Sequence, residues 1–583
     1  MWFIDAEVFK HNWLFVCINP ITNEEVVIVD DRKAFIEFYN KNKDDIWVGW
    51  NIRGYDTYII KAVLLDFNPK SVNDWIIVKG RKGYEFSKLF NTIQLNTYDA
   101  MPNIPVSLKV MEGFMGKNIH ETSVPFNIDR PLTAKEIAET ISYCRDDVLN
   151  LIDVFIRRKG EFDSQLALVK AFDLPLSSLG KTQAQLAAKI LGAKKQKLND
   201  EWDIRLPENV QLGKYQYIGD WFLNPDNHNY DAKLNTIIGG IEAVIALGGL
   251  HGGINKFNYV CADDEIILDA DIGQMYPNIM LHYDLQSRGV SDKNKLKEIL
   301  DTSMRLKREG KKAEREPYKR ICNIVYGAEG DKFNPMYDAL HRNLVCIFGQ
   351  VLMIDLIDKI EDLIRCINHN TDGIFFIVKK KNLDELKKRI SEWEDRTHLK
   401  MEYEEFTKFI SKDVNNYVAI KPDGSIHAKG GYVKDLNDLD YDLPIINEAL
   451  RNYMVFGTPV ETTINSCTDL RKFQKIVKLS SKYKWVEHQQ GYNPSYTKRG
   501  RLIENYDKTI KYDNKAYRVF ASKDDNDGKL LKCDGVRNPA KFGNTPDHCF
   551  IENGDVRNMD IPNKLNRQYY IDLAKKRLED FGF

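Results

Sequence analysis

The sequence has no close cysteine pair, no long uncharged apolar stretch and no surplus of either charge. Its nine cysteines are scattered without a Cys-x-x-Cys pair, which argues against a zinc site or a disulfide framework and favours a reducing cytoplasm. No apolar run is long enough to span a membrane, so we expect no membrane partner. A chain of 583 residues, 43% hydrophobic and 29% charged, is typical of a protein with several globular domains.

The formal net charge of −1 hides two basic segments. Residues 301 to 320 contain eight Lys and Arg against four Asp and Glu, and residues 471 to 501 contain nine against one. The second segment interleaves its cations with tyrosines and a tryptophan, a composition suited to nucleic-acid binding. A solvated basic surface accounts for it equally well.

The hydrophobic pattern divides the chain into regions of different character. The first 160 residues alternate β-rich runs such as WLFVCI and EEVVIV with helical patterns, which predicts an α/β domain. Residues 161 to 248 are helical and then irregular in pattern, with the Pro and Asn clusters of a connector. Beyond them EIILDADI predicts a strand, residues 292 to 326 predict two helices, and residues 364 to 378 predict a hairpin.

The predicted hairpin carries Asp372 in the sequence HNTDGIFF. Asp-Gly between two apolar runs is a strong hairpin signal and needs no chemistry. A carboxylate at a hairpin tip can also hold a metal ion. This segment by itself favours the plain hairpin.

Carboxylates are also concentrated near the N-terminus. Asp5 and Glu7 point to the same face of a predicted strand and can share one metal ion. Gathering them with Asp56 and Asp147 would be prohibitive without cations, and two divalent ions would balance the charge and could activate water for phosphodiester hydrolysis. Taken singly, each motif is better explained by a solvated strand or helix end.

Three motifs in this region, taken in order, resemble those of the DnaQ-like 3′-to-5′ proofreading exonucleases of DNA polymerases. They are Asp5-x-Glu7, Asn51-x3-Tyr55-Asp56 and Tyr143-x3-Asp147. Ser107 and Leu108 match a further Ser/Thr-Leu-x2-apolar motif of that family. The resemblance implies that the four carboxylates bind metal and catalyse, that Tyr143 orients the attacking water, and that Asn51, Ser107 and Leu108 contact DNA.

Residues 265 to 282 resemble motif A of family B DNA polymerases, in which Asp-x4-Tyr-Pro follows a strand. Asp271 ends the apolar run, and Tyr276 and Pro277 open a helix. The resemblance implies that Asp271 and the backbone carbonyl of Ile272 bind metal, and that Tyr276 stacks under the incoming sugar and excludes a 2′-hydroxyl. Asp269 competes for the metal role, but the spacing to Tyr-Pro favours Asp271.

Two later segments resemble motifs B and C of the same family. Lys-x3-Asn-x2-Tyr-Gly is matched by Lys319, Asn323, Tyr326 and Gly327, and motif C, a hairpin with Asp-Thr-Asp-Ser, by Asn370, Thr371, Asp372 and Gly373. The motif B residues, with Lys307 on the preceding helix, are implied to bind the nucleotide. Asp372 is implied to join Asp271 at the metals, whereas the replacement of the first aspartate by Asn370 leaves metal preference open.

Two further family motifs match only in part. The Lys-x-Tyr that holds the primer strand appears as Asn-Asn-Tyr417, with Lys412 as a substitute for the lysine. The Tyr-x-Gly-Gly between the exonuclease and polymerase regions appears as Leu-His-Gly252-Gly253. The glycines keep a close backbone approach possible. The resemblance implies that these four residues contact DNA.

The resemblance covers about residues 1 to 430 and implies a multidomain α/β fold, an RNase H-like exonuclease domain joined to a right-hand polymerase of palm, fingers and thumb. The expected domains are 1–160, exonuclease; 161–248, connector or N-terminal palm region; 249–282, palm with motif A; 283–327, fingers with motif B; 328–438, palm with motif C; and 439–583, thumb and C-terminal region. Because the exonuclease motifs start at residue 5, we expect a compact enzyme of bacteriophage or mobile-element type.

The motifs together predict a DNA-directed DNA polymerase with a 3′-to-5′ exodeoxyribonuclease, using two Mg²⁺ ions per active site, with Mn²⁺ as a substitute. Expected partners are primer-template DNA and dNTPs, with a phage helicase, single-strand-binding protein or clamp as candidates, for a monomer in the bacterial host cytoplasm. A nuclease with a decayed polymerase domain is the main alternative. Protein priming is a weaker one, because the intervals between motifs A, B and C are short, and a non-catalytic DNA-binding scaffold is the third.

Overall fold

The structure is a computed structural model that describes residues 1–583. It is a multidomain protein of mixed α/β architecture. No helix in it is both long enough and apolar enough to cross a membrane.

The first 160 residues form the predicted α/β layers. The strands are β1 (Trp2–Val8), β2 (Trp13–Asn19), β3 (Glu24–Val29), β4 (Trp47–Gly49) and β5 (Thr97–Asp99), and the helices are α1 (Arg32–Asn42), α2 (Asp56–Leu64), α3 (Pro69–Asn73), α4 (Leu108–Phe114) and α5 (Ala134–Arg157). The sheet order is β3-β2-β1-β4-β5, with β1 antiparallel to β2 and parallel to β4. Because β1 is apolar on both faces, Ile4 packs into one core and Phe3 into another that includes α5.

The next region connects these layers to a second sheet. It contains α6 (Lys159–Ala171), α7 (Gln183–Ile190), α8 (Gln216–Leu223), β6 (Lys233–Ile238), β7 (Ile241–Ala246) and β8 (Gly249–Gly253). The prediction of irregular structure is wrong for residues 233 to 246, which form the β6–β7 hairpin. Gly239 and Gly240, with φ of 60° and 80°, make its tight turn, a Gly-Gly hairpin signal that the Pro and Asn composition obscured.

A seven-stranded antiparallel sheet forms the centre of the molecule. The elements of this region are β9 (Phe257–Val260), β10 (Glu265–Ile272), α9 (Met275–His282), α10 (Asn294–Arg308), α11 (Lys312–Glu329), α12 (Ala339–Ile360), β11 (Ile364–His369), β12 (Gly373–Lys379), α13 (Leu383–Thr397), β13 (Met401–Phe406), β14 (Lys408–Asp413), β15 (Asn416–Ile420) and β16 (Ile426–Lys429). The order is β13-β10-β12-β11-β8-β7-β6, and β16-β15-β14-β9 form a smaller sheet. The predicted strand, helix pair and hairpin are all present. The largest core joins the seven-stranded sheet to α12, which is buried along most of its length.

The C-terminal region combines helices with short antiparallel sheets. Its elements are α14 (Pro444–Phe456), α15 (Val460–Ser466), β17 (Lys475–Lys478), β18 (Trp485–Tyr492), β19 (Ser495–Tyr496), β20 (Leu502–Ile503), β21 (Tyr506–Tyr512), β22 (Ala516–Ala521), β23 (Asp527–Cys533), β24 (Ala540–Lys541), β25 (Cys549–Ile551) and α16 (Arg567–Asp580). The basic segment 471–501 runs from the end of α15 to the β19–β20 hairpin. Three of its cations, Arg471, Lys472 and Lys475, form ion pairs with nearby carboxylates.

The two ends of the chain meet through one buried guanidinium. Arg518 on β22 is fully buried and donates to the carbonyl of Gly113 in the last turn of α4, at 3.1 Å, and to that of Lys117 after the helix, at 2.7 Å. It also donates to the side-chain oxygen of Gln474 at 2.9 Å. The C-terminal region therefore holds the end of α4 in place, and α4 carries residues of the first candidate site.

Candidate active sites

The first acidic site is the N-terminal cluster, formed by Asp5, Glu7, Asp56 and Asp147. Asp5 and Glu7 project from β1 toward α5, where carboxylate oxygens of both residues and the sulfur of Cys144 lie within 4.8 Å of one another. The Cys144 thiol donates to Asp5 Oδ2 at 3.5 Å. The strand alternation thus brings the first two carboxylates together as predicted.

Asp56 joins the cluster from the first turn of α2, where it is 2% exposed. Asp99 holds the loop before it by accepting the backbone N–H groups of Asn51, at 3.0 Å, and Arg53, at 3.2 Å. Asn51 is exposed, with a left-handed φ of 58°. Sequence reasoning missed Asp99, although the carboxyl end of β5, beside the parallel strand β4, was a signal for it.

Lys109 supplies a cation inside the N-terminal cluster. Its ammonium group forms ion pairs with Asp147 on α5 and, at 3.1 Å, with Glu112 on α4. It also lies 4.6 Å from the centroid of the Tyr143 ring. Sequence reasoning missed this residue because it fills a variable position of the Ser-Leu-x2-apolar motif. Its spacing of three from Glu112 on a helix was the available signal.

Ser107 and Leu108, the first two residues of that motif, begin α4. Ser107 is the residue before the helix, and Leu108 is only 9% exposed. The Leu108 side chain packs against Met111, Met115 and Val154 in a small core. Its predicted contact with DNA stays a prediction, and in this structure the side chain stabilises α4 against α5.

Burial and mutual repulsion raise the pKa values of the cluster. Burial, and then the charge of Asp147, raises the pKa of Asp5 to about 7. Burial and the charge of Asp5 hold the pKa values of Glu7 and Asp56 well above their usual range. The pKa of Asp147 is also raised by burial, against the opposing effect of Lys109. The site therefore contains more negative charge than its own residues neutralise.

The residues of the N-terminal cluster fit divalent metal ions. Carboxylate oxygens are the hard ligands that Mg²⁺ and Mn²⁺ prefer. Asp56 Oδ1 is buried and has no hydrogen-bond partner, so a ligand position is available. Bound cations would also relieve the repulsion that raises the pKa values.

The second acidic site is the hairpin pair, formed by Asp271 and Asp372 where β10 meets the β11–β12 hairpin. Asp271 lies opposite Gly373, and the N–H of Ile272 donates to the carbonyl of Asp372 at 2.7 Å. The N–H of Asn370 closes the turn on the carbonyl of Gly373 at 2.8 Å. Both carboxylates are exposed. The hairpin tip is thus an open site rather than a buried one.

The Asp271 carboxylate lies very close to the backbone of Gly373. A Cβ atom at residue 373 would lie 1.8 Å from Asp271 Oδ1. The Asp271 carboxylate therefore lies over Gly373, and a side chain at residue 373 would displace it from this position. This packing gives a physical reason for glycine at the position where the family motif has serine.

Neighbouring charges distinguish Asp271 from Asp269. Partial loss of hydration, and then the charge of Asp372, raises the pKa of Asp271 to about 6. Burial, and then Asp271, raises the pKa of Asp269 to about 8. Lys429 on β16 opposes both shifts, and sequence reasoning missed it because nothing in its local sequence indicates this neighbour. The exposed Asp271, together with Asp372 and the Ile272 carbonyl, offers oxygen ligands that fit a divalent ion.

Two aromatic rings join motif A to motif B. Tyr276 on α9 and Tyr326 on α11 stack with centroids 4.1 Å apart and planes within 3° of parallel. The guanidinium of Arg342 lies 5.7 Å from the Tyr326 centroid, a neighbour that sequence reasoning missed. The ring pair lies between α9, which follows the strand of Asp271, and the helix of the predicted nucleotide ligands.

The predicted nucleotide ligands occupy different environments. Lys307, at the end of α10, forms an ion pair with Glu402 on β13. Lys319 is half-buried and Asn323 is exposed, and with Tyr326 they follow one side of α11. Lys319 and Asn323 are therefore accessible to a ligand. Lys307 would have to leave Glu402 to bind a nucleotide phosphate.

Several of the predicted primer-strand residues are buried or ion-paired within the protein. Tyr417 is 3% exposed and its ring stacks on Phe409 with centroids 5.1 Å apart. A Cβ at Gly252 would lie 2.3 Å from His369 Cε1, so this glycine lets β8 approach β11, with Gly253 next to it in the same strand. Lys412 pairs with the neighbouring carboxylate of residue 413 at 2.8 Å. Their contacts with DNA stay predictions.

Comparison with known proteins adds little to this geometry. No protein-family model and no curated protein matches the sequence. Among solved structures, the chain is similar to the family B DNA polymerase from the hyperthermophilic archaeon Pyrobaculum calidifontis, with 14% identity and a TM-score of 0.42, over 100% of this chain and 77% of that one. At that identity and TM-score the likeness carries no argument, so a function has to be inferred from the side chains themselves.

Proposed function

We propose that this protein is a template-directed DNA polymerase with a 3′-to-5′ proofreading exonuclease, acting on primer-template DNA and dNTPs. The observation that carries the proposal is the joining of motifs that lie far apart in the sequence. Asp271 of motif A lies beside the turn that holds Asp372 of motif C, and Tyr276 of motif A stacks on Tyr326 of motif B. Purely structural roles for these strands and helices would not require two carboxylates at one turn together with two stacked tyrosines.

In the polymerase site, Asp271, Asp372 and the Ile272 carbonyl would hold two divalent ions, which supply Lewis-acid stabilisation of phosphoryl transfer when bound. The ammonium group of Lys319 would bind the triphosphate of the dNTP. The Tyr276 ring would lie under the sugar and leave no room for a 2′-hydroxyl. The chain's own contribution is thus to orient the nucleotide against the primer end.

In the exonuclease site, the N-terminal cluster would hold two further ions of the same kind. Tyr143 lies one turn before Asp147 on α5, and its hydroxyl would orient the attacking water. Asn51, exposed at the entrance, would contact the 3′ end of the primer. The sheet order β3-β2-β1-β4-β5, with α5 packed on β1, supports the RNase H-like fold that the resemblance implies.

The biological setting is part of the same proposal and depends on the resemblance alone. We infer a compact family B enzyme of bacteriophage type that acts as a monomer in the cytoplasm of a bacterial host. The palm, fingers and thumb would correspond to the central sheet, the α10–α11 pair and the region after residue 438. A phage helicase, single-strand-binding protein or clamp would act with it.

One observation favours a second candidate function, a DNA exonuclease with a decayed polymerase domain. Asn370 replaces the first aspartate of motif C, and a neutral amide is a weaker metal ligand than a carboxylate. The hairpin, the stacked tyrosines and Lys319 all favour the polymerase instead. Protein priming is a weaker alternative.

A primer-extension assay tests the proposal directly. The purified protein is mixed with a labelled primer on a longer template in Mg²⁺, with and without the four dNTPs. The expected result is extension with dNTPs and 3′ shortening without them. Shortening in both reactions, in Mg²⁺ and again in Mn²⁺, would instead establish the nuclease.

A further inference from the structure

Cys144 is a buried thiol inside the N-terminal cluster that the proposed reaction does not use. It projects from α5 toward β1, and its sulfur lies 3.5 Å from Asp5 Oδ2. A carboxylate oxygen of Glu7 completes a group whose three ligand atoms all lie within 4.8 Å of one another. No other group of three or more His, Cys, Asp or Glu side chains in residues 1–583 brings its ligand atoms this close. The thiol therefore belongs to a ligand set that the fold has already assembled.

The spacing of sulfur and oxygen in this group matches a tetrahedral metal ion. An ion about 2.3 Å from a thiolate sulfur and about 2.0 Å from a carboxylate oxygen holds those two atoms about 3.5 Å apart when its geometry is tetrahedral. Cys144 Sγ and Asp5 Oδ2 have that separation. The thiol proton lies in the gap between them, so an ion can replace the proton with little movement of either side chain.

Asp56 offers a fourth ligand to the same position. The residue is 2% exposed, and its Oδ1 atom is buried without a hydrogen-bond partner. Burial raises the pKa of Asp56 and the charge of Asp5 raises it further, which indicates that the carboxyl group faces the cluster. A buried carboxylate oxygen without a donor is costly unless a cation binds it. Three carboxylates and one thiolate provide the four ligands that a tetrahedral ion takes.

The sulfur distinguishes this position from an ordinary magnesium site. Mg²⁺ takes hard oxygen ligands in octahedral geometry, whereas a thiolate selects thiophilic ions such as Zn²⁺. Burial and the neighbouring carboxylates raise the pKa of the Cys144 thiol well above its usual range, so the sulfur is neutral until such an ion binds. As the sulfur–metal bond forms, the S–H bond breaks and the proton leaves to solvent. The same cluster can therefore offer oxygen alone to Mg²⁺ and sulfur as well to a Zn²⁺-type ion.

We propose that Asp5, Glu7, Asp56 and the Cys144 thiolate form a binding site for a thiophilic divalent ion of the Zn²⁺ type. The sequence has no Cys-x-x-Cys pair, and this site needs none because a strand and two helices supply its ligands. An ion held there would occupy three of the four carboxylates that the Mg²⁺ pair needs, so 3′ shortening would stop while it is bound. That inhibitory consequence rests on the proposed exonuclease, whereas the metal site itself does not.

Co²⁺ binding to the metal-free full chain tests the site, because Co²⁺ takes the same ligands as Zn²⁺ and a cobalt–thiolate bond gives a charge-transfer band in the near ultraviolet. The wild type is expected to show this band, together with the visible absorption of a tetrahedral ion, and added Zn²⁺ should remove both. Cys144→Ser should lose the band and bind Zn²⁺ at least about tenfold more weakly, since loss of a residue that merely supports a ligand already costs that much. Cys467→Ser, at a half-buried cysteine whose sulfur contacts a backbone carbonyl, is the control and should keep the band.

Asp5→Asn with Glu7→Gln provides a second test that keeps the thiol and removes two of its partners. It should also lose the cobalt–thiolate band, with circular dichroism in EDTA as the check that each variant folds. Absence of the band in the wild type, or its survival in either variant, would overturn the proposal.

Inhibition of 3′ shortening by Zn²⁺ in excess Mg²⁺ tests the consequence. The wild type should be inhibited, and Cys144→Ser should need at least about tenfold more Zn²⁺ for the same inhibition. Equal inhibition of the two would overturn the inhibitory role. Absence of 3′ shortening with every metal, while the cobalt–thiolate band is present, would instead reject the proposed exonuclease and leave the metal site intact.

Discussion

The N-terminal cluster and the hairpin pair use the same residue types in opposite surroundings. In the cluster, Asp56 is 2% exposed and Glu7 is 9% exposed, whereas Asp271 and Asp372 are open to solvent. The cluster contains its own cation, Lys109. The hairpin pair has no ion-paired cation, and the charge of Lys429 is what opposes its repulsion.

This difference teaches how each site is assembled. Folding must bring the buried carboxylates together without substrate, so their repulsion is a cost to the free energy of folding. The exposed carboxylates of the hairpin pair keep part of their hydration, and the pKa of Asp271 accordingly rises less than that of Asp5. We therefore expect stability measurements to report on the N-terminal cluster and activity measurements to report on the hairpin pair.

Removal of Asp372 should have the largest effect on synthesis. Asp372→Ala loses an oxygen ligand worth several kcal/mol of transition-state stabilisation, so single-turnover extension should fall by about a thousandfold or more. Because the residue is exposed, the unfolding temperature and 3′ shortening should stay unchanged. Asp525→Ala, at an exposed position, is the control. Equal loss of both activities would remove the distinction between the two sites.

The matching change in the cluster is Asp5→Asn with Glu7→Gln, which preserves side-chain volume. Exonuclease activity should fall by about a thousandfold for the same reason, with extension retained. In EDTA at pH 8 the unfolding temperature should rise, because the two amides need neither a bound proton nor a buried charge, whereas the raised pKa values of Asp5 and Glu7 make their carboxyl groups costly at that pH. An unchanged or lower unfolding temperature would show that the cluster is already neutralised.

Lys109→Met separates the internal cation from the metal-binding carboxylates. Removing one partner of a buried ion pair leaves Asp147 uncompensated and should lower the free energy of unfolding in EDTA by about 3 kcal/mol. Added Mg²⁺ should reduce this deficit, because divalent ions replace the lost charge. Thermal unfolding with and without Mg²⁺ measures both quantities, with Lys135→Met as the exposed control. A deficit that Mg²⁺ leaves unchanged would place the ions elsewhere.

Tyr276→Ala tests the open site through its selectivity. Loss of the ring leaves space for a 2′-hydroxyl, so the preference for dATP over ATP opposite thymine should fall by about tenfold to a hundredfold. Paired incorporation rates give this ratio. Tyr217→Ala, at an exposed tyrosine on α8, should leave it unchanged. The same ratio in both variants would argue against Tyr276 at the sugar.

Glu329 gives a reference for the cost of a buried carboxylate outside both sites. Burial holds its pKa well above the usual range, so the folded chain keeps a proton that the unfolded chain releases near pH 4.5. Stability from this group therefore falls as pH rises above that value. Glu329→Gln should match the wild type near pH 4.5 and have the higher unfolding temperature at pH 8, with exposed Glu392→Gln as the control. No difference between the two pH values would show that Glu329 is ionised in the fold.

Local periodicity explains what could be predicted from the sequence. Two-residue alternation brings Asp5 and Glu7 to one face, and helical spacing brings Tyr143 and Asp147 to one side. The Asp-Gly turn at residue 373 predicts the hairpin. These features depend on neighbours in the chain, and all of them are present in the structure.

Packing between distant segments explains what could not be predicted. Lys109 meets Asp147 only because α4 is held against α5, with Arg518 from the far end of the chain holding the end of α4 at Gly113. Lys429 reaches the hairpin pair through a strand of another sheet. Tyr417 was expected at the DNA, and its burial follows from the aromatic core of that smaller sheet. Such contacts have no signature in local sequence.

Single-nucleotide addition by the Asp5→Asn, Glu7→Gln variant tests the central claim most directly, because no exonuclease then masks synthesis. Each dNTP is offered separately against each of the four template bases in Mg²⁺. The expected result is addition of the complementary nucleotide only, abolished by the further change Asp372→Ala. Absence of addition in both Mg²⁺ and Mn²⁺, or addition that ignores the template base, would contradict the assignment of Asp271 and Asp372 as a polymerase site.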